Sequence, residues 1–124
     1  MNFKEGLKYN KDHSWVEIKK DIAIIGVVID TINDADEVVF VNLPSIGDKI
    51  EVGSEYLEIE SSKASITLTS PVKGEVIEVN KEVFVKPTLL NEDCFANFIC
   101  KVKFEELDDL LEFKEAKKYY EEKK

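Results

Sequence analysis

This chain of 124 residues contains no arginine, one histidine, one tryptophan and two cysteines. Lysine supplies all 17 basic residues against 26 acidic ones, which gives a formal net charge of −9. Without guanidinium groups, the protein lacks the bidentate clamps that usually hold phosphates and carboxylates. A polyanion would meet a repulsive surface, so we expect no nucleic-acid partner.

The scarcity of cysteine and histidine argues against a metal site or a disulfide scaffold. Cys94 and Cys100 do not have CxxC spacing, and His13 is the one histidine in the sequence. A reducing compartment therefore fits best. No stretch has the length of a transmembrane helix, and residues 1–10 carry charges where a signal peptide would be apolar. We predict no membrane partner and, if the chain is the complete precursor, a cytoplasmic protein.

Short strands with alternating apolar and polar residues dominate the chain from Ser14 onward. Glycine and proline fall between them, as in the segment PVKGE, where we expect Gly74 to be a turn glycine with positive φ. From Phe104 the apolar spacing changes to that of an amphipathic C-terminal helix, and residues 30–37 are assigned to a short helix or a loop. The length suits one domain over residues 1–124. Strands are predicted near residues 15–18, 22–28, 38–41, 56–59, 66–68 and 76–79.

An internal repeat relates two parts of the chain. PSIGDKIEVGSE, which begins at Pro44, aligns at a shift of 27 residues with PVKGEVIEVNKE, which begins at Pro71. Each copy is too small to bury its own apolar face, so we predict that the two copies pack together in a flattened β sandwich. Lys63 lies at the seam between the copies, at a predicted hairpin tip. Its neighbours are small and leave its amine accessible: Ser61, Ser62, Ala64 and Ser65.

Lysines at hairpin tips are common and usually serve only solubility, but the surrounding motif is more specific. ESSKA (residues 60–64), followed by SPVKGEVIEVN (residues 70–80), resembles the lipoyl-attachment region of the glycine cleavage system H-protein family. GLKYNKDHSWV, EVVFVNLPSIGD and KPTLLNED resemble the family's opening, middle and later loop, so the resemblance covers nearly the whole chain. It implies an all-β lipoyl/biotinyl-type sandwich, the barrel-sandwich hybrid, with a C-terminal helix.

The resemblance also implies a non-catalytic carrier with covalent lipoate on Lys63. In the family, the lipoyl group accepts an aminomethyl group from glycine on the pyridoxal-phosphate P protein. The T protein passes the carbon to tetrahydrofolate, and the L protein reoxidises the dithiol. A lipoate ligase or lipoyl transferase would recognise the lysine through its neighbours Glu60, Ser62 and Ala64. Biotin carriers share the fold but flank their lysine with methionines, so lipoate is favoured over biotin.

Two departures from the family pattern bear on this function. The family usually has an acid before its early tryptophan and another four positions after the lysine, whereas this chain has Ser14 and Thr67. These acids are the expected countercharges for a cationic aminomethyl group. Asp12 is a candidate replacement, and His13 is a candidate cleft residue for the arm. Two alternatives stay open: an H-like protein that relays lipoate or serves redox chemistry outside glycine cleavage, and an unmodified interaction module.

Overall fold

The computed structural model describes residues 3–32 and 36–122, which form two antiparallel sheets and three short helices. The larger sheet has six strands in the order β1-β2-β3-β9-β8-β5, and the smaller has three in the order β4-β6-β7. The strands are β1 (Lys8–Tyr9), β2 (Ser14–Lys19), β3 (Ile22–Val27), β4 (Val38–Asn42), β5 (Lys49–Ile50), β6 (Glu55–Ser61), β7 (Ser65–Thr69), β8 (Val72–Val79) and β9 (Cys100–Leu107). The helices are α1 (Lys81–Val85), α2 (Leu89–Glu92) and α3 (Phe113–Glu122).

The two sheets face each other across one main core. Alternate residues of β3 are fully buried, as are core residues of the smaller sheet, because successive side chains of a strand point to opposite faces. The predicted β sandwich is therefore confirmed. A second, smaller cluster lies where β1 and β2 meet α3 and includes Tyr9, Trp15, Val28 and Ala116.

The two copies of the repeat pack against each other, as predicted. The turn region of the first copy forms β5, which pairs with β8 of the second copy through Lys49 opposite Glu75 and Ile50 opposite Gly74. Gly74 does not have the positive φ that the turn pattern predicted. It lies within β8, where an added Cβ would stand 2.2 Å from the carbonyl oxygen of Lys103. A close approach of β9, rather than a turn, requires glycine there.

The C-terminal helix is present but shorter than predicted. The helix expected from Phe104 is wrong for its first part, because β9 continues to Leu107 and α3 begins only at Phe113. Phe104 lies opposite Gly74, and Leu107 lies opposite Val72, so pairing with β8 overrides the local helical spacing. Ala116 of α3 is fully buried, as expected of the apolar side of an amphipathic helix.

A 3₁₀ turn at Ile29–Thr31 overlaps the start of the segment, residues 30–37, that is assigned to a short helix or a loop. Residues 33–35 of that segment lie outside the described residues. Within residues 3–32 and 36–122, no helix combines the length and apolar character needed to cross a bilayer.

Candidate functional site

The hairpin between β6 and β7 presents Lys63 at its tip. Ser61 closes the turn: its backbone N–H donates to the carbonyl of Ala64 at 2.8 Å. Its hydroxyl oxygen accepts from the backbone N–H groups of Lys63 and Ala64, at 3.3 and 3.1 Å. A short hydroxyl side chain thus satisfies the turn's free donors, which is why serine suits this position. The backbone of Lys63 is held by bonds local to the hairpin.

The side chain of Lys63 is 70% exposed, and its Nζ lies 3.7 Å from Oδ2 of Asp36. The same carboxylate oxygen accepts a hydrogen bond from the hydroxyl of Ser62 at 3.2 Å. Because both partners of the ion pair are largely solvated, the attraction between them is weak. The amine is therefore open to an approaching reagent, as the small neighbouring residues predicted.

The segment of residues 36–38 contacts one side of the hairpin tip. The backbone N–H of Ser62 donates to the carbonyl of Glu37 at 3.3 Å. Asn91 of α2 fixes this segment through two hydrogen bonds: its Nδ2 donates to the carbonyl of Asp36, and its Oδ1 accepts from the N–H of Val38. No local pattern marks Asn91 in the sequence, because its partners lie more than 50 residues away.

The three predicted recognition residues, Glu60, Ser62 and Ala64, lie next to Lys63 in the hairpin. Ser62 and Ala64 are exposed, and Glu60 is half-buried on β6. Glu60 lies opposite Ser65 on one side and Phe40 of β4 on the other. The lysine is thus surrounded by small or acidic groups, with no bulky side chain among its nearest chain neighbours.

Asp12 is found at the opposite end of β7 from Lys63. Its Oδ2 accepts from the backbone N–H of Thr69 at 2.6 Å and from the Thr69 hydroxyl at 2.7 Å. Since a strand rises roughly 3.3 Å per residue, Ser65 and Thr69 are about 13 Å apart. Asp12 therefore lies at the end of β7 far from the hairpin tip, and its Oδ2 atom already accepts two hydrogen bonds from Thr69.

His13 has a positive φ of 68° and is held on both its backbone and its ring. Its N–H donates to the Tyr120 hydroxyl at 2.8 Å. The ring Nδ1 lies 2.7 Å from the Thr31 hydroxyl oxygen, and that hydroxyl donates its own proton to the carbonyl of Val28. Nδ1 must then carry a proton and donate, which leaves the lone pair of the neutral ring on Nε2. Burial lowers the pKa of His13, against an opposing effect of Asp12, so the ring is neutral at pH 7.

Buried hydrogen bonds link His13 and Asp12 to the rest of the fold. Asn10 is the centre: its Oδ1 accepts from the N–H groups of Asp12 and Ser14, and its Nδ2 donates to the carbonyl of Thr69. The Tyr120 hydroxyl donates to the carbonyl of Asn10 at 2.7 Å. We call residues 10–14 with these partners the clamp. Sequence reasoning missed Asn10 and Tyr120, whose partners come from three separate elements.

Ser14, the position of a missing family acid, lies inside the protein. It is fully buried, and its hydroxyl bonds the hydroxyl of Tyr56 at 2.8 Å. Burial also raises the pKa of Tyr56. Thr67, the other position, is exposed on β7 opposite Glu58. Neither residue brings a carboxylate to the site.

The reactive group that the site presents is an accessible amine. Within residues 3–32 and 36–122, no group of three or more His, Cys, Asp or Glu side chains is placed to hold a metal ion. Both thiols are buried, and burial raises the pKa of Cys94 and raises that of Cys100 to about 12. Such thiols stay protonated and unreactive at neutral pH.

Comparison with known proteins gives consistent results. The family model described as Glycine cleavage H-protein matches residues 7–124. A glycine cleavage system H protein of Alkaliphilus oremlandii is 44% identical over 119 residues, which cover 94% of each chain. The one from Clostridioides difficile is 42% identical over 113 residues, which cover 88% of this chain and 90% of that protein.

A solved structure extends the likeness to the fold. The crystal structure of a glycine cleavage system H protein from Mycobacterium marinum matches with a TM-score of 0.87 over 98% of both chains. At 24% sequence identity, this match supports the architecture alone. The match to the family model and the two closer relatives settle membership, and the resemblance seen in the motifs is confirmed: this chain belongs to the glycine cleavage H-protein family.

Proposed function

We propose that the protein is the lipoylated H carrier of the glycine cleavage system and that lipoate is attached to Nζ of Lys63. The observation that carries this proposal is the exposed amine at the tip of a hydrogen-bonded hairpin, in a chain of this family. The residues present fit the group, because Ser62 and Ala64 leave room for an acylating enzyme and the amine has one weak ionic partner.

Attachment forms an amide and removes the lysine's charge. The neutral amine attacks the carbonyl of an activated lipoyl adenylate, a C–N bond forms, AMP leaves with the electrons of the broken C–O bond, and Nζ loses a proton. Asp36 then loses its ionic partner, so the product arm is freer at its base than the lysine was. Lys63 would hold the lipoyl group, which would supply dithiol–disulfide chemistry: the opened dithiol form would carry an aminomethyl group between the P and T proteins, and its oxidation back to the ring would give two electrons to the L protein.

The protein's own contribution is to present this arm and to steer its partners. A covalent tether offers the reactive group to each partner at roughly millimolar effective concentration, so weak and transient docking is sufficient. The net charge of −9 favours encounters with basic surfaces on the P, T and L proteins and on a lipoate ligase or lipoyl transferase. The buried thiols and the engaged, neutral His13 support a carrier without catalysis of its own.

A second candidate, a lipoate relay outside glycine cleavage, is favoured by the missing countercharges. Ser14 is buried against Tyr56, and the Oδ2 atom of Asp12 is bound to Thr69. Contacts of Asp12 and His13 with the arm stay predictions, as does a cytoplasmic location.

Two measurements test these functions. Intact mass after incubation with lipoate, ATP and a lipoate ligase should show an increment of about 188 Da, a value from covalent chemistry. Lys63→Arg should abolish it, whereas Lys49→Arg, a change at another exposed lysine, should not. An unmodified wild type would refute the attachment and favour the interaction module.

The loaded protein then separates the two lipoyl functions. With P protein, glycine and labelled bicarbonate, it should support carboxyl exchange if it serves glycine cleavage. A relay would fail that assay while its lipoyl group is transferred to another carrier's lysine by a lipoyl transferase.

A further inference from the structure

Two phenylalanines from different elements form an exposed aromatic pair beside the hairpin. Phe40 on β4 is 37% exposed, and Phe84 on α1 is 54% exposed. Their ring centroids are 5.9 Å apart in an edge-to-face arrangement. The chain neighbours Val39 and Val85 are also exposed, by 54% and 81%. We call these four residues the Phe40–Phe84 patch.

The fold does not need these side chains to be apolar. Val38 and Val41 already supply the buried side of β4, and the irregular pairing between Val38 and Phe40 leaves two successive apolar residues exposed. In α1, Val83 alone is buried. Single exposed apolar residues are ordinary, but two contacting aromatic rings from different elements, each beside an exposed valine in the chain, are typical of an interaction surface.

Phe40 lies at the edge of the footprint expected for an enzyme centred on Lys63. Phe40 is directly opposite Glu60, about 5 Å away across the strands, and the three residues from there to Lys63 span at most roughly 11 Å. A standard interface covers about 800 Å² on each partner, which corresponds to a circle of roughly 16 Å radius. An interface of that size centred on the tip would therefore extend as far as Phe40.

We infer that the Phe40–Phe84 patch docks the enzyme that acylates Lys63, an inference that rests on the proposed function. This enzyme must reach the lysine amine itself, which stands only about 6 Å from the backbone, so it must cover the tip and its surroundings. Enzymes that act on the far end of the lipoyl arm can bind further from the hairpin tip, because the extended arm is roughly 14 Å long.

Charge defines the rest of the partner's surface. Three acidic residues, Asp36, Glu37 and Glu60, lie between the patch and the lysine, and none is fully buried. The complementary partner has an apolar recess for the two rings, with lysine or arginine side chains on the side that faces the hairpin. Asp36 pairs weakly with the unmodified lysine, and those basic groups would also compete for Asp36.

The test is the steady-state kinetics of lipoylation. The double variant Phe40→Thr/Phe84→Ser, titrated against a lipoate ligase with lipoate and ATP, should lower kcat/KM at least tenfold. The loss should lie in KM with kcat unchanged, because docking contacts are the same in the ground state and the transition state. Val85→Ser, at a residue 81% exposed, tests the patch without risk to the fold.

Ile77→Thr on β8 and Ile46→Ser before β5 are matched controls, since these residues are 41% and 62% exposed outside the patch. Both should load like wild type. A folded double variant with kcat/KM within twofold of wild type, or an equal loss in the controls, overturns the docking surface and leaves Lys63 lipoylation standing. A wild type that gains no lipoyl mass refutes the proposed function itself, and the docking surface with it.

Two further outcomes would also overturn the inference. If wild type sediments as a dimer that Phe84→Ser converts to monomer, the patch contacts a second copy of this chain. If the double variant loads like wild type but, once loaded, loses glycine carboxyl exchange, the patch docks the decarboxylase rather than the acylating enzyme.

Discussion

The two ends of β7 are built in opposite ways. At the Ser65 end, the tip is held by the hydroxyl of Ser61 and an ion pair whose lysine is 70% exposed. At the Thr69 end, the strand is bound to Asp12 and Asn10, and through them to α3. Buried polar contacts fix the Thr69 end of the strand to the rest of the fold. The Ser65 end can therefore present Lys63 with few contacts of its own.

Removing Asn10 should have the largest effect. Asn10→Ala deletes three hydrogen bonds at a residue only 2% exposed and leaves the N–H groups of Asp12 and Ser14 unpaired. We expect the free energy of unfolding to fall by about 2 to 4 kcal/mol. Urea denaturation measures it, with Asn42→Ala at an exposed site as the control. Equal losses in the two variants would show that the hydrogen bonds of Asn10 do not specially stabilise the Thr69 end of β7.

Breaking the Ser14–Tyr56 pair should have a smaller effect that depends on the partner. Ser14→Ala leaves the buried Tyr56 hydroxyl without its partner and should cost about 1 to 2 kcal/mol of unfolding free energy. The double variant Ser14→Ala/Tyr56→Phe should cost less than the sum of the two single changes, because no orphan hydroxyl remains. Strict additivity in chemical denaturation would show that the two hydroxyls are not coupled.

The clamp should also weaken in mild acid through His13. Its folded pKa is lowered by burial, so the unfolded chain binds the proton first, and unfolding free energy decreases as pH falls through about 6.5. The decrease ends once pH is below the folded pKa, and His13 contributes no pH dependence well above 6.5. His13→Asn, which tolerates the positive φ, should flatten the stability profile between pH 7 and 5. Parallel profiles for the variant and wild type would rule out this titration.

The smallest effect is expected at the tip. Asp36→Asn removes the ion pair with Lys63 and should change unfolding free energy by less than about 0.5 kcal/mol, because both partners are solvated. The difference should shrink further in high salt. A loss above about 1 kcal/mol in thermal or urea unfolding would mean that the tip is anchored like the clamp.

Local sequence patterns predict the strands and the pairing of the repeat, but they do not predict the contacts that distant strands make. Alternation located the strands around residues 15–18, 22–28 and 56–59, and the repeat correctly paired its two copies. The apolar spacing from Phe104 onward predicts a helix, but pairing with Gly74 of β8 places Phe104 in a strand. The same approach of strands explains Gly74, whose need for glycine comes from Lys103 rather than from its own turn.

The residues of the candidate site also fall into those that the sequence locates and those that only the tertiary structure brings together. The place of Lys63 at a hairpin tip among small residues was determined by the sequence alone, because it depends on a reversal between two adjacent apolar patterns. Only the tertiary structure decided that Asn10 binds Thr69, that Ser14 is buried against Tyr56, and that Phe40 meets Phe84. These contacts join residues 42 to 59 positions apart in the chain, and side-chain complementarity across that distance leaves no periodic trace in the sequence.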